Sequence, residues 1–232
     1  MPGLLLVFSE PGAAVTAEEF NDWYDNEHVP LRIPIPGFES WSRWTAVDGK
    51  RPTYAAIYDL SSPEVVSEPP YADLANTRSE REKSILARLA LLDRRTYRLL
   101  EPVHPPKAGD AYDPAQPGRV LSIVEIDMKP EPGAEEEFNR WYDEEHIPLL
   151  AQVPGWVRSR RFVLVDAGAI GSEAKDQKPP KFLAIHEWEG MEAFERPDFR
   201  ATTETEWTKR VLEKVAVFER RRMTLLRTWE KK

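Results

Sequence analysis

One stretch of this chain is written twice, and that constrains its fold more than any other feature. EFNDWYDNEHVP runs from Glu19 to Pro30 and returns as EFNRWYDEEHIP from Glu137 to Pro148. Aligning Trp23 with Trp141 sets an offset of 118, and thirteen of the twenty positions from Glu18 to Gly37 are then identical to Glu136–Gly155. Chance does not produce such a match, so the chain carries an internal duplication. The likeness extends outward. LLLVFSE (Leu4–Glu10) answers LSIVEID (Leu121–Asp127), YAAIYDL (Tyr54–Leu60) answers FLAIHEW (Phe182–Trp188), and RRTYRLL (Arg94–Leu100) answers RRRMTLL (Arg220–Leu226). The second copy has a longer hairpin loop, Asp166–Pro180.

Each copy has the same coarse order. An apolar run of strand length, Leu4–Ser9, precedes a helix opened by Thr16 with Glu19 three residues on, a capping box. Pro30 and the Pro34, Pro36, Gly37 cluster end that helix. An aromatic stretch, Phe38–Val47, turns through Asp48-Gly49 into Thr53–Leu60. A second helix is expected over roughly Tyr71–Leu92 from its apolar spacing, and a last strand over Thr96–Val103. The order β-α-β-β-α-β is the ferredoxin-like one. Its sheet has one face covered by helices and the other in need of a partner, which a second copy can supply. The expected fold is therefore α+β: two tandem ferredoxin-like repeats packed sheet to sheet as a pseudo-dimeric α/β barrel. The repeats span 1–103 and 119–232, and the Pro- and Gly-rich 104–118 is a linker.

Acids outnumber bases 40 to 32, for a net charge of -8, which argues against nucleic acid and anionic lipid as partners. There is no cysteine, so disulfides, thiol nucleophiles and thiolate metal sites are absent together. No run reaches the roughly 18 apolar residues of a membrane span, and Leu4–Phe8 is too short for a signal sequence. The expected location is cytoplasmic.

The pattern F-x-x-W-Y-x-x-E-H-x-P, followed by Pro-Gly before a strand, resembles the dimeric α/β-barrel superfamily and, within it, the EthD-like proteins. Phe20, Trp23, Tyr24, Glu27, His28 and Pro30 carry the match, and their counterparts in the second copy repeat it. The resemblance covers most of the chain outside the linker. It implies the barrel fold, and a range of functions: cofactor-free monooxygenases, polyketide cyclases and decarboxylases, lactone isomerases, haem enzymes and proteins of unknown activity.

On an α-helix, Phe20, Trp23, Tyr24, Glu27 and His28 share one stripe while Asp22, Asp25 and Asn26 point elsewhere. The helix C-terminus and a nearby carboxylate raise a histidine pKa and burial lowers it, a balance expected to fall near neutral pH and to suit proton transfer. The plainer reading is scaffold: the Glu-His pair satisfies loop groups or pairs with Arg43 and Arg161 on the following strand. Preservation in both copies favours scaffold or a pair of equivalent pockets. Between the copies, Tyr58 aligns with His186, and Arg78 with Glu206. His186 either faces a ligand near His146 or, as the plainer choice, points to solvent; His104 is expected to be solvated.

Four histidines, none in an H-x-x-x-H pair, do not specify a metal site, and no Gly-rich phosphate loop is present. No cofactor is expected, although related folds hold haem by a histidine. The leading expectation is a cofactor-independent enzyme acting on a hydrophobic aromatic or polyketide-like molecule by decarboxylation, cyclisation or oxygenation. His28 and His146 would transfer protons, with Tyr24 and Tyr142 beside them; Trp23, Trp141, Glu27, Glu145, Tyr58 and His186 would contact the substrate. The alternative is a non-catalytic small-molecule-binding or stress-related barrel protein. Because one chain carries both repeats, monomer is the default and homodimer the alternative.

Overall fold

The computed structural model describes residues 1–175 and 178–231. The first copy is built from β1 (Gly3–Glu10), α1 (Ala17–Trp23), β2 (Phe38–Ala46), β3 (Tyr54–Leu60), α2 (Glu80–Arg88) and β4 (Leu91–Leu99). The second is built from β5 (Val120–Met128), α3 (Ala134–Trp141), β6 (Trp156–Ile170), β7 (Phe182–Trp188), α4 (Glu206–Glu213) and β8 (Val215–Trp229). Both follow the ferredoxin-like βαββαβ order. The hydrogen-bonded strand order, β1-β3-β2-β8-β5-β7-β6-β4, closes into an antiparallel barrel. The chain forms two compact units. One holds residues 1–99 with the segments that begin at Leu164 and Leu226; the other holds Leu100–Val163 and Pro180–Leu225.

Local chemistry explains the elements. All eight residues of β1 are buried, which is why its sequence is a nearly unbroken apolar run rather than an alternating one. Thr16 caps α1 by accepting from the Glu19 amide at 3.1 Å. Ser79 and Thr205 cap α2 and α4 in the same way. The repeated Pro-Gly has a backbone reason. Gly37 and Gly155 lie at φ 88° and 90°, where a side chain is strained. Each leads into a strand whose register slips at its start, between Phe38 and Ser40 or between Trp156 and Arg158. Beyond the bulges the registers correspond: Leu5 faces Tyr58 in one copy, and Ser122 faces His186 in the other.

Several expected boundaries are corrected. The first helix does not run as α-helix to Pro30: it ends at Trp23, and Tyr24–His28 form a π-helical turn. The second copy repeats this at Tyr142–His146. The expected helix 71–92 is broken into the turns Pro69–Ala72 and Asp73–Ala75 and then α2, because Ser79 starts a new helix and Leu89 is already extended. The apolar residues that prolonged the helical pattern belong to β4, which begins at Leu91 rather than Thr96. The expected hairpin loop 166–180 starts later, since β6 continues to Ile170; Asp176 and Gln177 of that loop, and Lys232, lie outside the described residues.

Each unit has its own apolar core. Phe20, Trp23 and Tyr24 lie in one, and Phe138, Trp141 and Tyr142 in the other. Among the described residues no helix is long and apolar enough to cross a membrane.

Candidate functional site

The repeated motif builds the same clamp in both copies. Arg43, on β2, donates to Asp25 and Asn21, and its guanidinium lies 4.5 Å from the Tyr24 ring centroid. Arg161, on β6, donates to Asp143 and Asn139 and lies 4.6 Å from the Tyr142 ring. Both arginines are buried. The expectation that Arg43 and Arg161 pair with the Glu-His dipeptide is thus corrected: their partners are the aspartates and asparagines on the other side of the helix. A buried guanidinium needs a carboxylate and a second acceptor, and N-x-x-x-D supplies both.

The π-turn sets where the histidines go. In each copy a backbone amide reaches five residues back, Val29 to the Tyr24 carbonyl and Ile147 to that of Tyr142. The wider turn brings residues five apart onto one face. His28 therefore lies against Trp23, ring centroids 4.6 Å apart, and His146 stacks on Trp141 at 4.4 Å and 20°. The α-helical stripe expected to carry Glu27 beside His28 is broken for the same reason. Glu27 instead accepts from the Ser79 hydroxyl, and Glu145 from that of Thr205. These contacts, with the caps, pair Ser79 with Thr205, so that Arg78 corresponds to Glu204 and not to the expected Glu206. They also make Glu82 the counterpart of Thr208.

That last exchange separates the two copies. His28 Nδ1 lies 3.1 Å from Glu82 Oε1. Thr208 is taken by Trp141, whose Nε1 donates to its hydroxyl at 3.1 Å, and His146 Nδ1 turns to the Thr202 carbonyl at 3.3 Å. A carbonyl only accepts, so His146 carries its proton on Nδ1 and Nε2 is a bare acceptor. His186 is buried, which corrects the expected exposure to solvent. Its Nδ1 lies 2.7 Å from the Ser159 hydroxyl, which already accepts from Trp156 Nε1. In the tautomer whose Nδ1 accepts from Ser159, His186 carries its proton on Nε2. His104 is also not free: its Nε2 lies 3.4 Å from Asp143.

Each copy has a cavity lined by its helices and sheet. The second, of about 280 Å³, is lined by Trp141, Tyr142, His146, His186, Trp188 and Phe199 among others. The first, of about 270 Å³, is lined by His28, Tyr58 and Tyr71, and by Arg32, Arg78, Arg94 and Glu82. Trp23, Tyr24, Glu27 and Glu145 are not on either lining. The arginines and Glu82, which sequence reasoning did not single out as site residues, had one usable signal. Arg32 aligns with Leu150, an arginine where the other copy has an apolar residue.

The histidines do not titrate near neutral pH as expected. Burial pushes His146 down to about 4, against the opposing pull of the Thr202 carbonyl. Burial and the neighbouring His146 push His186 down to about 3. His28 is held well below its ordinary range by burial and then by Arg32, Arg43, Arg94 and Arg78, so its contact with Glu82 is a neutral imidazole donating to a carboxylate. Burial raises Tyr142 to about 12. Such groups hold one protonation state throughout the physiological range, which suits recognition better than proton transfer.

No family model matches the chain, and no curated protein does. Solved structures do. An anthrone oxidase-like protein superposes with a TM-score of 0.63 at 15% identity, over 100% of this chain and 94% of its own. A heme-binding protein from Thermus thermophilus gives 0.54 at 13%, over 97% and 91%. A major regulator of staphylococcal pathogenesis gives 0.50 at 8%, over 97% and 100%. An oxidase-like protein, a haem binder and a regulator share the architecture, so the fold leaves the choice between catalysis and binding to the site. The expected cofactor-independent decarboxylase, cyclase or oxygenase with histidine acid/base chemistry is corrected: burial holds the histidines neutral, and proteins of this architecture include a haem binder and a regulator, which are not clearly cofactor-independent catalysts. At these identities the likeness carries architecture alone: the chain is a duplicated ferredoxin-like α/β barrel.

Proposed function

We propose that this is an EthD-like, small-molecule-binding barrel protein whose second repeat takes up a compact aromatic molecule bearing one hydroxyl group, such as a phenol. The observation that carries the reading is the histidine pair. Within one largely apolar cavity, His146 offers an acceptor and His186, in the tautomer that accepts from Ser159, a donor, with ring centroids 6.1 Å apart. A hydroxyl both donates and accepts, and so satisfies the two together. Trp141, Trp188 and Phe199 provide apolar walls, in keeping with the few polar groups of a small-molecule site. Tyr142, parallel to His186 at 6.2 Å and 8°, stays protonated and holds that ring in place.

A haem does not fit this cavity. At about 280 Å³ it lies at the foot of the roughly 300–1,000 Å³ range of drug-sized ligand sites. Apart from its two neutral histidines, Arg220 is the one basic residue on the lining to meet two propionates.

The test is titration with 1-naphthol and with naphthalene, followed by tryptophan fluorescence, with the ligand recovered and analysed afterwards. Saturable binding of unchanged 1-naphthol, roughly tenfold or more tighter than naphthalene, is expected from two hydrogen bonds in an apolar site. His146→Phe should erase that preference. Equal binding of the two compounds sinks the reading, and chemical conversion of the naphthol replaces it with an enzymatic one.

A further inference from the structure

The first repeat holds the corresponding cavity with a different chemistry. Its lining brings three guanidiniums together, those of Arg32, Arg78 and Arg94, against one carboxylate, Glu82. Among the described residues none of the three arginines is paired with an acid. Arg32 is buried and donates to the His28 carbonyl. Arg32 and Arg94 each lie 5.5 Å from the centroid of the Tyr71 ring. Glu82 is occupied by His28, which is neutral and adds no charge. Tyr58, 1% exposed, lines the same cavity, with its hydroxyl against that of Tyr24. An unmatched cluster of guanidiniums around a concave, partly apolar space lacks an anion.

The two copies make the point by substitution. Arg32 stands where the second copy has Leu150, and Arg78 where it has Glu204. Leu150 lines the second cavity, and Glu204 does not. Arg94 has its counterpart in Arg220, which lines the second cavity, so the excess positive charge of the first cavity comes from Arg32 and Arg78. Val66, Leu74, Leu86 and Leu92 are among the apolar residues of the lining. They leave an apolar wall that an inorganic anion would not use.

We propose that the first repeat is a second binding site, for a small organic carboxylate with an apolar body. The carboxylate is received by Arg32, Arg78 and Arg94, while Tyr58, Tyr71 and the leucines cover the remainder. The site is separate from the phenol cavity and does not depend on it.

Isothermal titration of the intact protein with sodium benzoate tests this, with benzyl alcohol as the uncharged match and inorganic phosphate as the anion without an apolar body. Arg32→Leu and Arg78→Glu copy the other repeat. Arg78 is exposed, so its variant keeps the test valid even where loss of the buried Arg32 disturbs folding. Benzoate is expected to bind saturably, and each variant to weaken it roughly ten- to a hundredfold, the loss of a charge-assisted contact. Benzoate should also fail to displace 1-naphthol, which locates it away from the second cavity. The proposal is overturned by benzyl alcohol binding as tightly as benzoate, by phosphate binding more tightly, or by affinity indifferent to both variants. Displacement of 1-naphthol, or no binding up to about 10 mM, overturns it too.

Discussion

His28 and His146 occupy the same place in the two repeats and have different partners. Each ends a π-turn, lies against the tryptophan five residues back, and borders a cavity of nearly the same size. Yet His28 donates to Glu82, among arginines, while His146 donates to a backbone carbonyl and faces a second histidine. The difference shows which part of the motif is scaffold. What both copies share is the Asn-Asp-Arg clamp and the contact of histidine with tryptophan, tilted at 59° in the first copy and stacked at 20° in the second. What lines the cavities has diverged, one toward charge and one toward an apolar space with a donor and an acceptor.

The largest expected effect tests the shared part. Arg43→Leu and Arg161→Leu each leave an aspartate without its buried partner, and each should cost about 3–5 kcal/mol in urea unfolding. Closely matched losses support a common clamp. A loss below about 1 kcal/mol in one copy alone would break the equivalence.

Acid should separate the copies next. An unfolded histidine takes up a proton below about pH 6.5, whereas folded His146 and His186 do so only near 4 and 3. Between those limits the unfolded state binds more protons, so stability falls as pH falls through the window and is fully regained above it. The variant His146→Phe with His186→Tyr, which gives the second cavity the first copy's Tyr58, removes this dependence. Relative to wild type it should gain about 3 kcal/mol per histidine between pH 7 and pH 4. An unchanged difference across that range would show that these histidines are protonated in the folded protein.

The smallest effect concerns the Thr208 hydroxyl, which accepts from Trp141 Nε1 and lies 2.9 Å from the Thr205 hydroxyl. Thr208→Val leaves Trp141 Nε1 without its acceptor, the condition in which Trp23 Nε1 already stands. A loss of about 1–2 kcal/mol is expected in thermal unfolding, with a shift in tryptophan emission. No loss would mean that the two tryptophans are held by packing alone.

Much of the architecture was legible because it rests on local pattern. The repeat, the apolar run of β1, the Thr16 cap and the Pro-Gly before β2 all read directly as elements. The π-turn was not legible, since Tyr24–His28 has an ordinary helical composition and the extra backbone residue leaves no mark on it. The end of α2 was hidden by Leu89 and Leu92, whose spacing continues a helical pattern although the chain has already turned into β4. In the sites, His28, His146 and Tyr58 were visible as residue types, but not the arginines around one histidine pocket or the burial that lowers all three imidazole pKa values.

The sequence by itself determined the duplicated βαββαβ order, because strand and helix periods and turn residues act over a few positions and were copied together. Only the tertiary structure decided what each histidine meets. Its partner comes from a segment 54 residues away for His28 and 56 for His146. Whether such a partner is a carboxylate or a carbonyl, and whether water is kept out, depends on packing between elements that no local pattern records.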